Sequence, residues 1–241
     1  MQFLTEQVAK PSLDIGGESL VSRLARQVNL LEGHKTTYVN LSYKPISIID
    51  SLRNHVSLAN LTFLWERRYM GTAWSLMKIF SRSKRDLLVI HADLYLSDMG
   101  LANFLHISQT RNSWSHVAVH NRKRAKARSI IELHEESTLI KSFQEVDAHH
   151  IDTYSSTDDS TVMSNSGVYF FCKEHLFTME TQPIEGQSIP SFILPKLIST
   201  QQLEVVEFLG ERYSVETPHD LETIKSINQA YQSGQSFLDS K

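Results

Sequence analysis

Leu87-Leu-Val-Ile90 is a four-residue apolar run with β-branched members, and it stops within three residues at a carboxylate, Asp93. A run too short for a helix and without polar alternation reads as a strand buried on both faces of a parallel sheet. In open α/β sheets, ligands gather beyond the carboxyl ends of the strands, so Asp93 is placed to meet a metal or a phosphate-bearing substrate. Asp is equally favoured in turns, through bonds to nearby backbone. The stretch alone leaves both readings open.

The flanking segments set the fold class. Met1 to Gly17, with Lys10-Pro11 and Gly16-Gly17, carries turn chemistry and is expected to be a loop. Leu20, Val21, Leu24, Val28 and Leu31 recur at helical spacing before Gly33, a stop signal. Thr36–Leu41 and Leu61–Leu64 read as strands, with a helix marked by Ile46, Ile49 and Leu52 between them and another at Trp74–Phe80. Strands alternating with helices of this length imply parallel crossovers, hence an α/β fold with a doubly wound sheet over the first half.

After a helix around Leu101–Ile107 the period changes to that of strands, at Ser115–His120, Arg128–Leu133, Leu139–Gln144, Gly167–Cys172 and Leu203–Phe208. His134–Thr138 is expected to be a hairpin turn without a glycine, Ile151–Met163 a mobile Ser/Thr/Asp-rich loop, and Phe192–Ile198 a short helix interrupted by Pro195. The last helix begins near Pro218, with Thr217 as N-cap.

Composition narrows the function classes. With a net charge of -3 over 241 residues, nothing global argues for nucleic acid or an anionic membrane surface, and neither is expected as a partner. The basic run from Arg122 to Arg128 reads as a solvated loop. A single cysteine, Cys172, excludes an internal disulfide framework and a cysteine zinc cage. With no apolar run of membrane-spanning length and no signal-peptide core, a cytoplasmic protein is the default. His149 and His150 have no partner pattern and read as loop residues.

Several landmarks then occur in order. They are Thr5-Glu6 through Lys10-Pro11 to Gly16-Gly17, Glu66 with Gly71-Thr72-Ala73, His91-Ala92-Asp93, Arg128–Glu132 with Ser142–Glu145, Asn165-Ser-Gly-Val-Tyr169, and Glu216-Thr217-Pro218-His-Asp220-Leu221. In order and spacing the chain resembles the nucleotide-sugar pyrophosphorylases, the sugar-phosphate nucleotidyltransferases, from Leu4 to about Asn228. The resemblance implies a Rossmann-like nucleotidyltransferase fold with a mixed sheet and a β-rich sugar-binding part. It implies a single domain, with a nucleotide-binding half over 1–112 and a sugar-binding half over 113–241.

The activity implied is formation of an NDP-sugar and pyrophosphate from a nucleoside triphosphate and a hexose 1-phosphate, for surface polysaccharide, with Mg²⁺ as cofactor. By the resemblance Lys10 and Asp93 are catalytic, and Glu66, Gly71, Thr72 and Ala73 bind the nucleotide. Glu132, Glu145 and Asn165 bind the sugar, while Asp93 and Glu216 hold the metal. Asn165 read by itself could instead cap a turn. Joining two polyanions is mainly positioning and charge neutralisation, which suits Lys10 as a point charge, Asp93 as a hard oxygen ligand and Gly71 as a residue that lets a flat base approach.

Three departures stand beside the resemblance. The family opens with a buried strand and a glycine-rich loop carrying an arginine, so a preceding segment of about twenty residues is expected, one strand plus its loop. Val146 stands where the family has a lysine, a loss that Lys141 would have to cover. Ser214 stands where the family has its late metal-binding aspartate, leaving Glu216 as the substitute. These losses favour a rival reading, a family-derived protein that binds nucleotide or sugar phosphate without turnover, as a regulatory or partner subunit. The base, the sugar and the oligomeric state, a homo-oligomer included, are not readable from the sequence.

Overall fold

The computed structural model describes residues 5–31, 36–55, 57–146 and 160–233. In chain order its helices are α1 (Leu20–Leu30), α2 (Pro45–His55), α3 (Thr72–Ser83), α4 (Asp98–Thr110), α5 (Lys173–Phe177), α6 (Leu194–Ser199) and α7 (Pro218–Gln232). Its strands are β1 (Thr37–Leu41), β2 (Leu61–Trp65), β3 (Leu87–Ile90), β4 (Leu94–Leu96), β5 (Ser115–Lys123), β6 (Ser129–Leu133), β7 (Ile140–Glu145), β8 (Thr161–Phe171), β9 (Leu203–Glu207) and β10 (Arg212–Ser214). The fold is mixed α/β.

The elements gather into two compact units, one made of Met1–Arg68, His91–Asp98 and Gly210–Lys241, the other of Tyr69–Ile90 and Met99–Leu209. The chain passes between the units four times.

In the first unit β1 and β2 pair in parallel, Thr37 opposite Leu61, with α2 as the crossover. β4 and β10 form a short antiparallel pair. α1 starts where the Ser19 side chain accepts the Ser22 N–H, and it buries Leu20, Val21 and Leu24. Its Arg23 is only 1% exposed. That guanidinium is balanced by Glu18 at 3.6 Å and Asp98 at 3.5 Å and lies over the Tyr95 ring at 4.5 Å, which is how a buried charge is tolerated. Around it Leu13, Ile15, Tyr95, Val215 and Ile224 form a core.

The second unit is built on a six-stranded sheet in the order β7-β6-β8-β5-β9, with β3 also pairing with β8. β5 and β9 run parallel and the other pairs antiparallel, so the sheet is mixed. Phe80, Tyr169, Phe171 and Ile193 are among the side chains of its core.

Several expectations are corrected. β3 is not a parallel strand buried on both faces; it is antiparallel to β8, Leu87 opposite Phe171, and all four of its residues are half-buried. Among the described residues β1 pairs only with β2, and β3 only with β8. Thr161–Met163 belongs to β8 rather than to a loop. The Gly33 stop, residues 151–159 of the expected loop, and His149 and His150 lie outside the described residues. The first segment contains a 3-10 turn at Lys10–Ser12.

Pro195 does not interrupt its helix. A wide π turn at Ile189–Ile193 precedes α6, and Pro195 falls in the first turn of α6, where a missing N–H costs nothing. The hairpin between β6 and β7 forms without glycine because Glu136 takes the left-handed conformation, φ 49°.

Candidate functional site

Asp93 closes the turn between β3 and β4, where the Leu94 N–H donates to the His91 carbonyl at 3.3 Å. Its side chain does more than shape that turn: Lys10 Nζ donates to Asp93 Oδ2 at 2.8 Å. Both side chains are about a third exposed, 31% and 34%, so the pair is open to a ligand. Burial pushes the Asp93 carboxyl up, and the Lys10 ammonium with its hydrogen bond outweighs it, leaving the group below the usual carboxylate range. His91 is held below its ordinary value by burial, with Asp93 opposing and Arg212 adding to the shift, so it is neutral at physiological pH.

The backbone under Lys10 is fixed. Ala9 N–H donates to Ser47 Oγ at 2.9 Å, Ser12 Oγ reaches the same atom at 3.2 Å, and Lys44 Nζ donates to the Glu6 carbonyl. Lys10-Pro11 thus lies on the start of α2, with its side chain as the movable part.

Glu216 belongs to the same unit. β4 and β10 pair with Leu94 opposite Ser214, and the Val215 N–H donates to the Asp93 carbonyl at 3.4 Å, so the Glu216 segment runs beside Asp93. Ser214 Oγ donates to Glu216 Oε1 at 3.2 Å. Among the described residues no group of three or more His, Cys, Asp or Glu is arranged to hold a metal ion. Mg²⁺ carried on substrate phosphates needs only one or two protein carboxylates. Asp93, accessible and already covered by a cationic stand-in, fits that requirement.

Glu66, at the end of β2, is 4% exposed, and its N–H donates to the Leu41 carbonyl at 2.8 Å. Gly71, Thr72 and Ala73 lie in the second unit and are pinned to one segment. Thr72 Oγ1 accepts the Ile189 N–H at 2.9 Å, and the Ala73 N–H donates to the Gln187 carbonyl at 3.1 Å. Gly71 has φ 95°, and a Cβ there would stand 2.3 Å from the Gln187 carbonyl oxygen. The side-chain position at Gly71 is thus taken by the Gln187 backbone, which only glycine allows.

Of the three sugar-side residues, two are brought together. Ser129 on β6 stands opposite Glu145 on β7, and its Oγ accepts the Asn165 N–H of β8 at 2.8 Å. Glu132, three residues along β6, lies on the opposite face, hydrogen-bonded by Ser142 at 2.9 Å. Partial burial raises the Glu145 carboxyl against a hydrogen bond with Ser188. Asn165 makes the Asx turn that its sequence context allowed. Its Oδ1 accepts the Gly167 N–H at 2.8 Å, and its Nδ2 donates to Tyr169 Oη at 2.6 Å. Gly167, φ 77°, gives β8 its bulge opposite Val117 and Val119 of β5. Sequence reasoning missed Ser129, which links the two residues; a serine in an apolar strand was its only signal.

No family profile and no curated sequence matches the chain. Solved structures do. HddC from Yersinia pseudotuberculosis is 19% identical with a TM-score of 0.72, covering 92% of this chain and 91% of its own. It is also known complexed with GMP-PN. A putative glucose-1-phosphate thymidylyltransferase from Bacillus anthracis, in complex with a sucrose, is 12% identical with a TM-score of 0.71, covering 94% and 89%. An apo UDP-glucose pyrophosphorylase is 13% identical with a TM-score of 0.67, covering 95% and 93%. The chain shares the mixed α/β, Rossmann-like fold of these solved structures. Among the described residues no helix is long and apolar enough to cross a membrane.

Proposed function

We propose that this protein is a sugar-1-phosphate nucleotidyltransferase, joining a nucleoside triphosphate to a hexose 1-phosphate with release of pyrophosphate and supplying an activated sugar for surface polysaccharide. The observation that carries the proposal is the accessible Lys10–Asp93 pair at the β3–β4 turn of this fold. Mg²⁺, when bound, would neutralise phosphate charge and lower the barrier to in-line attack on the α-phosphorus. Asp93 would be its first ligand, with Glu216 beside it. Lys10 places a positive charge on the phosphates, and its anchored backbone fixes where that charge can reach.

In the second unit Glu145 and Asn165 offer acceptors and a donor to sugar hydroxyls on one face of the sheet. Glu66 in the first unit and Gly71-Thr72-Ala73 in the second remain, each taken by itself, candidate nucleotide contacts. The Gly71 segment would present a backbone held rigid by Gln187 and Ile189.

Binding without turnover is the second reading, favoured by Val146 and Ser214 in place of a lysine and an aspartate. A pyrophosphate-release assay across the common nucleoside triphosphates and hexose 1-phosphates with Mg²⁺ separates the two. Release that requires both substrates is expected, and Asp93→Asn should fold normally while losing roughly a hundredfold or more in rate. Nucleotide binding with no release under any pairing would establish the second reading.

A further inference from the structure

Among the described residues the Lys10 ammonium has Asp93 as its ion-pair partner, and the contact, at 2.8 Å, uses the carboxylate oxygen Oδ2. The two tasks assigned to this pair exclude each other while it is closed. An ammonium on the carboxylate repels a divalent cation that seeks the same oxygens, and an ammonium held by a carboxylate is not available to a polyphosphate. The backbone of residues 9–12 is tied to Ser47, so relief comes from the lysine's four-carbon stem rather than from a loop movement.

We propose that Lys10 is a resident counter-ion that covers Asp93 until a polyphosphate draws it away, so that polyphosphate and divalent cation bind this unit as a coupled pair and the cation alone binds poorly. The inference rests on the reading of Asp93 as the metal ligand. Reciprocity follows from linkage: whatever factor the polyphosphate adds to cation affinity, the cation adds to polyphosphate affinity. The free enzyme would then discriminate against a bare cation and against metal-free polyphosphate, and would favour the metal–nucleotide complex.

The test is Mn²⁺ binding to the nucleotide-free protein, followed by electron paramagnetic resonance of the unbound ion, for the wild type, Lys10→Met, Asp93→Asn and a remote charge control, Lys225→Met. Far-UV circular dichroism and melting confirm that each is folded. Lys10→Met is expected to tighten Mn²⁺ binding by about tenfold, Lys225→Met to leave it unchanged, and Asp93→Asn to abolish it. In EDTA, Asp93→Asn should bind inorganic pyrophosphate more tightly than the wild type, and the double variant with Lys10→Met should lose that gain. Unchanged Mn²⁺ affinity in Lys10→Met, with binding abolished in Asp93→Asn, would overturn the counter-ion role and leave Asp93 as the metal ligand. Wild-type Mn²⁺ affinity in Asp93→Asn would overturn the site reading, and the counter-ion role with it.

Discussion

His116 on β5 is fully buried, and among the described residues neither of its ring nitrogens has a hydrogen-bond partner. Its Nε2 lies 3.7 Å from Glu204 Oε2, a contact that becomes an ion pair only when the ring is protonated. Burial, with Arg111 and His175 adding to it, pushes the imidazole down to about 4. The ring is therefore neutral at physiological pH. The unfolded chain, with an ordinary value near 6.5, binds the proton that the folded chain refuses, so stability falls as pH drops from about 6.5 to 4. The loss amounts to about 3 kcal/mol. Urea denaturation at pH 7 and pH 4.5 should show this slope, and His116→Leu should flatten much of it; equal slopes in the two proteins would mean that His116 is solvated. Gly71 makes a different demand. With φ 95° and the Gln187 backbone in the place of its side chain, Gly71→Ala should cost about 3 kcal/mol or more, read as a lowered melting temperature. Weakened nucleotide binding without lost stability would instead assign Gly71 to the ligand.

Elements were legible in the sequence where their signal is local. α7 is the clearest case: Thr217 caps it by accepting the Asp220 N–H at 3.1 Å, while Asp220 accepts the Thr217 N–H at 2.7 Å. Thr217→Ala should cost about 1 kcal/mol in chemical denaturation, and an unchanged midpoint would show that the helix is held by packing alone. β1, α2, β2 and α3 were readable for the same reason, from apolar spacing within a dozen residues. The direction of β3 was not, because its partner β8 lies about eighty residues further on and an apolar run does not encode whether its neighbour runs parallel or antiparallel. β4 and β10, three residues each, exist by pairing with one another and have no period to detect. The candidate site divides in the same way. Lys10 and Asp93 were named from the sequence, whereas their direct contact and the Ser129 link between Glu145 and Asn165 depend on register.

At the scale of the molecule, the fold groups residues that lie far apart in the chain. Glu216 belongs with Lys10 and Asp93 to one compact unit, and the chain crosses into that unit between Ile90 and His91, just before the acidic turn. Glu132, Glu145 and Asn165 belong to the other unit. If the proposed roles are right, the two substrates should leave separate footprints despite the interleaved chain. Amide hydrogen exchange with a nonhydrolysable nucleoside triphosphate and Mg²⁺ should protect Lys10–Leu13, the His91–Asp93 turn and the Ser214–Glu216 segment in the first unit, and Gly71–Ala73 in the second. A hexose 1-phosphate should protect the end of β7 and the bulge around Asn165 in β8, with little change at the acidic turn. Protection is the readout to use because these are backbone amides whose present partners are known, such as the Val215 N–H on the Asp93 carbonyl and the Gly167 N–H on Asn165. Sugar phosphate that protected the Asp93 turn while nucleotide protected β7 and β8 would reverse the assignment of these segments. Protection of neither unit by either ligand would remove the substrates themselves from the proposal.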